Sequence, residues 1–146
     1  MPQEPMRERA ASFNSSSTVG RGRRVLVVDD DSLNRKLMEL RLRDAGFVVE
    51  TADTAETALR TALETVPDAI LSDIQMPGMD GVQLRRAIRN DLRLARIPMI
   101  LVSSALVDER ARRGSADIDG NCVVRSPDLH EAIEALAAAL GDPPTK

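Results

Sequence analysis

Short apolar runs alternate along the chain with longer stretches in which apolar residues recur at helical spacing. Residues 25–28 (VLVV) read as a strand that runs into three carboxylates, Asp29, Asp30 and Asp31. The following SLNRKLMELRLRDAG has Leu33, Leu37 and Leu40 at helical spacing, Ser32 as an N-cap and Gly46 as a C-terminal stop, which predicts a helix. FVVETA is a second strand. TAETALRTALETV is a second helix, with Ala55, Ala58, Leu59, Ala62, Leu63 and Val66 on one stripe and Pro67 ending it. AILS (69–72) is a third strand, 81–89 a third helix, MILVSS after Pro98 a fourth strand, and VVR (123–125) a short fifth. The last helix has Ser126 as N-cap, Pro127 at its first position, and Leu129, Ile133, Leu136 and Leu140 at helical spacing. A fourth helix, short or mobile, is expected within the charged stretch 105–121, whose large apolar residues are few: Leu106, Val107 and Ile118.

Strands one, three and four are unbroken apolar runs, so both of their faces are expected to be buried. Strands separated by helices imply βαβ crossovers and a parallel sheet with helices on both sides, an α/β fold. In such a sheet, ligands bind beyond the carboxyl ends of the strands at the switch point in strand order. Asp29 and Asp30 end strand one, and Asp73 ends strand three. In a doubly wound fold these strands are neighbours, so the three carboxylates are expected to converge. Converging carboxylates repel unless a positive charge sits among them, and Mg2+, a hard cation that takes oxygen ligands and shares them with phosphate, answers that need. A solvated acidic loop is the competing reading. Asp29–Asp31 taken alone would fit it, whereas Asp73 and Ser103 at the ends of the other strands argue against it.

Composition narrows the classes. The chain's 146 residues leave room for one domain and a tail. Phe13 and Phe47 are the only aromatics, so a base-stacking surface for single-stranded nucleic acid is not expected. The single cysteine, Cys122, excludes an internal disulfide and fits a reducing compartment. No apolar run approaches the roughly 20 residues of a membrane helix, and no secretory signal is visible, so the expected location is cytoplasmic. Charge is uneven: the chain is −3 overall, while residues 1–24 hold five Arg and two Glu, a local +3. Residues 1–22, rich in Ser and Gly, are expected to be a disordered leader or linker, 23–141 the folded domain, and 142–146 a frayed tail after Gly141.

Three stretches together, VLVVDDD, SDIQMPGMDG and PMILVSSA, resemble the receiver domain of two-component response regulators. The resemblance covers about residues 25 to 141. Asp73 and Ser103 lie 30 positions apart, and Ser103 and Arg125 lie 22 apart, separations that suit the family without a gap. The resemblance implies a flavodoxin-like (βα)5 fold with a five-stranded parallel sheet in the order 2-1-3-4-5. It implies that Asp73 is the phosphoacceptor and that Asp29, Asp30, Asp73 and the backbone carbonyl of Gln75 hold Mg2+. It implies that Ser103 bonds the phosphoryl group and that Arg125 occupies the site of the family's lysine. The partner implied is a sensor histidine kinase or phosphotransfer protein. An output partner of unknown identity would read the face formed by the fourth helix, fifth strand and fifth helix. The chain would then be a signalling phosphoacceptor, not an enzyme in the ordinary sense, and either a single-domain regulator or the receiver of a hybrid kinase.

Three positions depart from the family pattern. Arg125-Ser126-Pro127 stands where Lys-Pro is usual, and Arg is a planar fork rather than a compact point charge. Cys122 stands where the family usually has an aromatic switch residue, and SADIDGN lacks the usual Gly-Ala pair. These departures motivate an alternative, a pseudo-receiver that acts as a protein-interaction module without phosphate. A haloacid-dehalogenase-like phosphatase also uses an Asp nucleophile and Mg2+. Asp29 and Asp31 have its spacing, but Leu33 falls where that family wants Thr or Val, and its cap insertions are missing. His130, the only histidine, reads as a surface residue.

Overall fold

The computed structural model describes residues 20–103, 122–124 and 129–141, with the backbone alone for Ser103 and residues 122–124. Five strands, β1 (Arg24–Val28), β2 (Val48–Ala52), β3 (Ala69–Asp73), β4 (Met99–Ser103) and β5 (Cys122–Val124), form one sheet in the order β2-β1-β3-β4-β5. Every pairing is parallel. This is the strand order and strand direction that the resemblance implied. Four helices are described: α1 (Ser32–Asp44), α2 (Ala55–Thr65), α3 (Gly81–Asn90) and α4 (His130–Ala139). The expected helix within 105–121 lies outside the described residues.

The strands alternate their side chains between two separate cores. Leu26, Val28, Ile70, Met99 and Leu101 face α2 and α3, where Ala55, Ala58, Ala62, Leu84 and Ile88 cover them. Val25, Val27, Leu71, Ile100 and Val102 face α1 and α4 and meet Met38, Leu42, Leu129, Ala132 and Leu136. Because each central strand is apolar on both faces, it takes helices on both sides and leaves only its ends for polar chemistry.

Several local expectations differ from the structure. In α1 the expected stripe faces solvent: Leu33, Leu37 and Leu40 are 67%, 46% and 50% exposed, and Met38 and Leu42 are buried instead. Both sets obey helical spacing, and the sheet, not the period, selects which one is covered. The N-cap of α1 is Asp31 rather than Ser32; its carboxylate accepts from the amides of Leu33 at 2.9 Å and Asn34 at 3.2 Å. The last helix as described begins at His130, with Leu129 in the left-handed region (φ 55°) as its cap; the expected cap Ser126 and Pro127 lie outside the described residues. Val66, placed by its spacing on the buried stripe of α2, is instead the left-handed C-cap and half exposed. Gly46 (φ 97°) and Gly141 (φ 87°) do end α1 and α4 as expected.

Residues 20–22, assigned by sequence to the leader, form a turn tied to the domain, with the amides of Gly20 and Gly22 donating to the carbonyls of Ala45 and Gly46. Arg23 donates to the carbonyl of Leu140, 117 positions further along the chain, at 3.0 Å, placing a positive charge at the C-terminus of α4. Among the described residues no helix is long and apolar enough to cross a membrane.

Candidate functional site

The site is built where β1 and β3 end side by side, Val28 being paired with Ser72. One residue further on, Asp29 is fully buried while Asp30 is exposed, and Asp73 lies half-buried at the end of β3. One carboxylate oxygen from each of Asp29, Asp30 and Asp73 lies within 4.8 Å of the others. The convergence expected from strand order is therefore present. It is a set of hard oxygen donors at a spacing that one cation spans, with one buried acid at its base.

Backbone bonds hold each member in place. The amide of Asp29 donates to the Ala52 carbonyl at 3.2 Å, continuing the β1–β2 ladder past the last strand residue. The Asp29 carboxylate accepts from the amide of Asp31 at 2.9 Å. Arg35, one turn into α1, donates to the Asp29 carbonyl at 2.8 Å. Arg35 was not singled out from sequence: only the fold returns the first turn of α1 to the end of β1. Asp31 faces away to cap α1, so it takes no part in the cluster, and the Asp29/Asp31 spacing of the phosphatase reading is not realised as a site.

After Asp73 the chain turns within eight residues into α3. Ile74 and Met76 are buried and anchor the loop, Gln75 and Pro77 are exposed, and Gly78 takes φ 75°. Asp80 and Gln83 close the loop with a capping box: the Gln83 amide donates to Asp80 at 2.9 Å and the Asp80 amide to the Gln83 side chain at 3.0 Å. A cleft of about 340 Å³ lined by Gln75, Met76, Pro77 and Asp80 opens on this loop. The backbone of Ser103 ends β4 beside Val124, one position beyond the Asp73–Val102 pairing, so β4 terminates next to the end of β3. The Ser103 hydroxyl, the Cys122 side chain and the whole of Arg125 lie outside the described residues.

The model of the response regulator receiver domain matches residues 25–136. The chain belongs to the response regulator receiver family. It is 44% identical over 121 residues to the transcriptional regulatory protein PrrA of Mycobacterium leprae, covering 80% of this chain and 49% of that protein. It is 36% identical over 117 residues to the chemotaxis protein CheY of Pseudomonas aeruginosa, covering 77% of this chain and 94% of that one. The response regulator PleD of Caulobacter vibrioides matches at 41% over 81 residues, covering 56% of this chain and 18% of that protein. The chain thus spans half or less of the length of several of these relatives and nearly all of CheY. Among solved structures, CheY4 of Vibrio cholerae superposes with a TM-score of 0.69 at 29% identity, covering 79% of this chain and 98% of that one. A sensor protein from Polaromonas superposes at 0.72 and 27% identity, covering 81% and 95%. This is a receiver domain of a two-component system, a signalling domain whose acidic cluster is of the kind that binds Mg2+ in the family.

Proposed function

We propose that this receiver accepts a phosphoryl group on Asp73 from a phosphohistidine on a sensor histidine kinase or phosphotransfer protein. The observation that carries the reading is the convergence of Asp29, Asp30 and Asp73 at the ends of adjacent parallel strands. A carboxylate oxygen of Asp73 attacks phosphorus, the P–N bond to the donor histidine breaks, and the imidazole nitrogen leaves with the bonding pair. Asp29, Asp30, Asp73 and the Gln75 carbonyl would hold Mg2+, which offsets charge on the transferring oxygens. Ser103 and Arg125 would donate to the phosphoryl oxygens, Arg125 as a bidentate fork in place of a lysine. The exposed Leu33, Leu37 and Leu40 begin beside the acidic cluster and continue along α1, an apolar face within reach of a donor protein that approaches Asp73.

The decisive experiment is incubation with a small phosphodonor and Mg2+ followed by intact mass. One added phosphoryl group is expected in wild type and none in Asp73→Asn; equal labelling of both sinks the assignment. A phosphorylation time course of Arg125→Ala and Arg125→Lys tests the second donor. Alanine is expected to slow the step that uses the contact by about ten- to a hundredfold and lysine to retain it. The second reading is a phosphate-independent interaction module, favoured by Arg125 and Cys122 at the lysine and aromatic positions of the family. An unlabelled wild type whose spectrum is also unmoved by high millimolar Mg2+ would establish it. A cytoplasmic home and an output partner on the face that includes β5 and α4 complete the proposal.

A further inference from the structure

The backbone of Asp73 is gripped by two residues that do no chemistry. Ser72, fully buried, donates its hydroxyl to the Asp73 carbonyl at 2.9 Å. Gly81, the first residue of α3, comes so close that a Cβ there would stand 2.4 Å from the same carbonyl oxygen and 2.9 Å from the Cα of Ile74. Gly81 does not have a positive φ, so glycine is required here by close approach and not by backbone conformation. Its amide donates to the Ile74 carbonyl at 2.8 Å, while the Ile74 amide donates to Val102 at 3.0 Å. The capping box of Asp80 and Gln83 fixes the turn of helix from which Gly81 presses.

We propose that Ser72 and Gly81 are positioning residues for phosphoryl transfer, clamping the Asp73 carbonyl and the Ile74 peptide. The clamp sets the direction in which the Asp73 carboxylate and, one residue beyond Ile74, the Gln75 carbonyl leave β3. The inference rests on Asp73 being the phosphoacceptor. The Asp73 carboxylate hangs from its backbone by a single Cβ, so a rotated peptide displaces it directly. Misplacing a reacting group by about 1 Å can cost roughly a hundredfold. A Cβ at Gly81 needs a shift of that order to escape a 2.4 Å contact. Losing the Ser72 hydrogen bond only loosens the carbonyl, so its effect is smaller.

The test uses the full chain with Ser72→Ala, Ser72→Thr and Gly81→Ala. Melting curves first locate a temperature at which each variant is folded. There, phosphorylation by a small phosphodonor is followed in time, and Mg2+ affinity is read from the amide shifts of residues 29–31 and 73–75. Ser72→Ala is expected to slow phosphorylation about three- to tenfold, with Thr, which keeps the hydroxyl, restoring it. Gly81→Ala is expected to slow it about a hundredfold and to weaken Mg2+ binding. If Gly81→Ala does not fold, the Ser72 pair decides alone. Variants that melt lower yet react at the wild-type rate and bind Mg2+ equally well overturn the proposal, because they reduce both residues to packing. A wild type that takes no phosphoryl group refutes the phosphoacceptor reading. The Ile74 and Gln75 amide shifts of the variants then decide the clamp by themselves, and unchanged shifts reject it.

Discussion

Replacing Asp29 by Asn removes one charge from the acidic cluster. Asn keeps the oxygen that accepts from the Asp31 amide, and the two side chains are nearly the same size. With oxygens of Asp29, Asp30 and Asp73 within 4.8 Å of one another, each pair of unit charges repels by at least about 0.9 kcal/mol at the dielectric of water and about 3.5 kcal/mol at an effective value of 20. Asp30 is exposed and Asp73 partly so, which places the true figure near the lower end. Two pairs relieved, together with the desolvation of the fully buried Asp29, amount to about 2 kcal/mol gained by the metal-free protein. For a domain of this size that raises Tm by about 8 °C. Mg2+ narrows the difference. At ten times its dissociation constant it adds about 1.4 kcal/mol to wild type, and Asp29→Asn, short of one ligand, gains much less. Melting is followed by circular dichroism, since the chain has no Trp or Tyr to report by fluorescence. The expected result is a variant more stable than wild type in a chelator and nearly indifferent to Mg2+. A variant less stable than wild type in the chelator, or one that climbs with Mg2+ as steeply as wild type, would refute the reasoning that the three carboxylates share one electrostatic site.

Other substitutions test the packing around that site. Leu42→Ala is expected to cost about 2–5 kcal/mol and Leu40→Ala less than about 0.5 in urea unfolding, because the first side chain is fully buried and the second half exposed. Similar losses for both would mean that α1 is rotated from the orientation described. Val66→Gly is expected to stabilise by about 0.5–1 kcal/mol: a β-branched residue at φ 46° pays a left-handed penalty that glycine escapes, less the entropy glycine adds to the unfolded chain. A lower urea midpoint would refute that balance. Asp80→Ala removes the capping box of α3 and is expected to cost about 1 kcal/mol, read as a lower Tm; an unchanged Tm would show that tertiary contacts alone hold the start of the helix.

Strand direction and the ends of the strands were legible in the chain, and the family resemblance implied the strand order. Apolar runs of strand length, separated by helical patterns, leave parallel pairing as the economical solution, and a charge at the end of such a run has only the sheet edge to occupy. Asp29, Asp30 and Asp73 could therefore be brought together by topology alone, and the MPGMDG turn pointed to the family. What the sequence could not decide was which of two equally periodic faces of α1 is covered. Leu33, Leu37 and Leu40 satisfy the 3.6-residue period as well as Met38 and Leu42 do, and only docking against β1 and β2 chooses between them. Capping was also ambiguous, since Asp31 and Ser32 are both good caps and differ only in which one the turn leaves outside the helix. The contact of Arg35 with Asp29 and the approach of Gly81 to the Asp73 carbonyl depend on how each loop folds back on its strand, while Ser72 bonds the carbonyl of its own neighbour. A periodic pattern reports how far each residue lies around an element. How closely two elements approach is set by the volume left between them, and that approach is what aims Asp73.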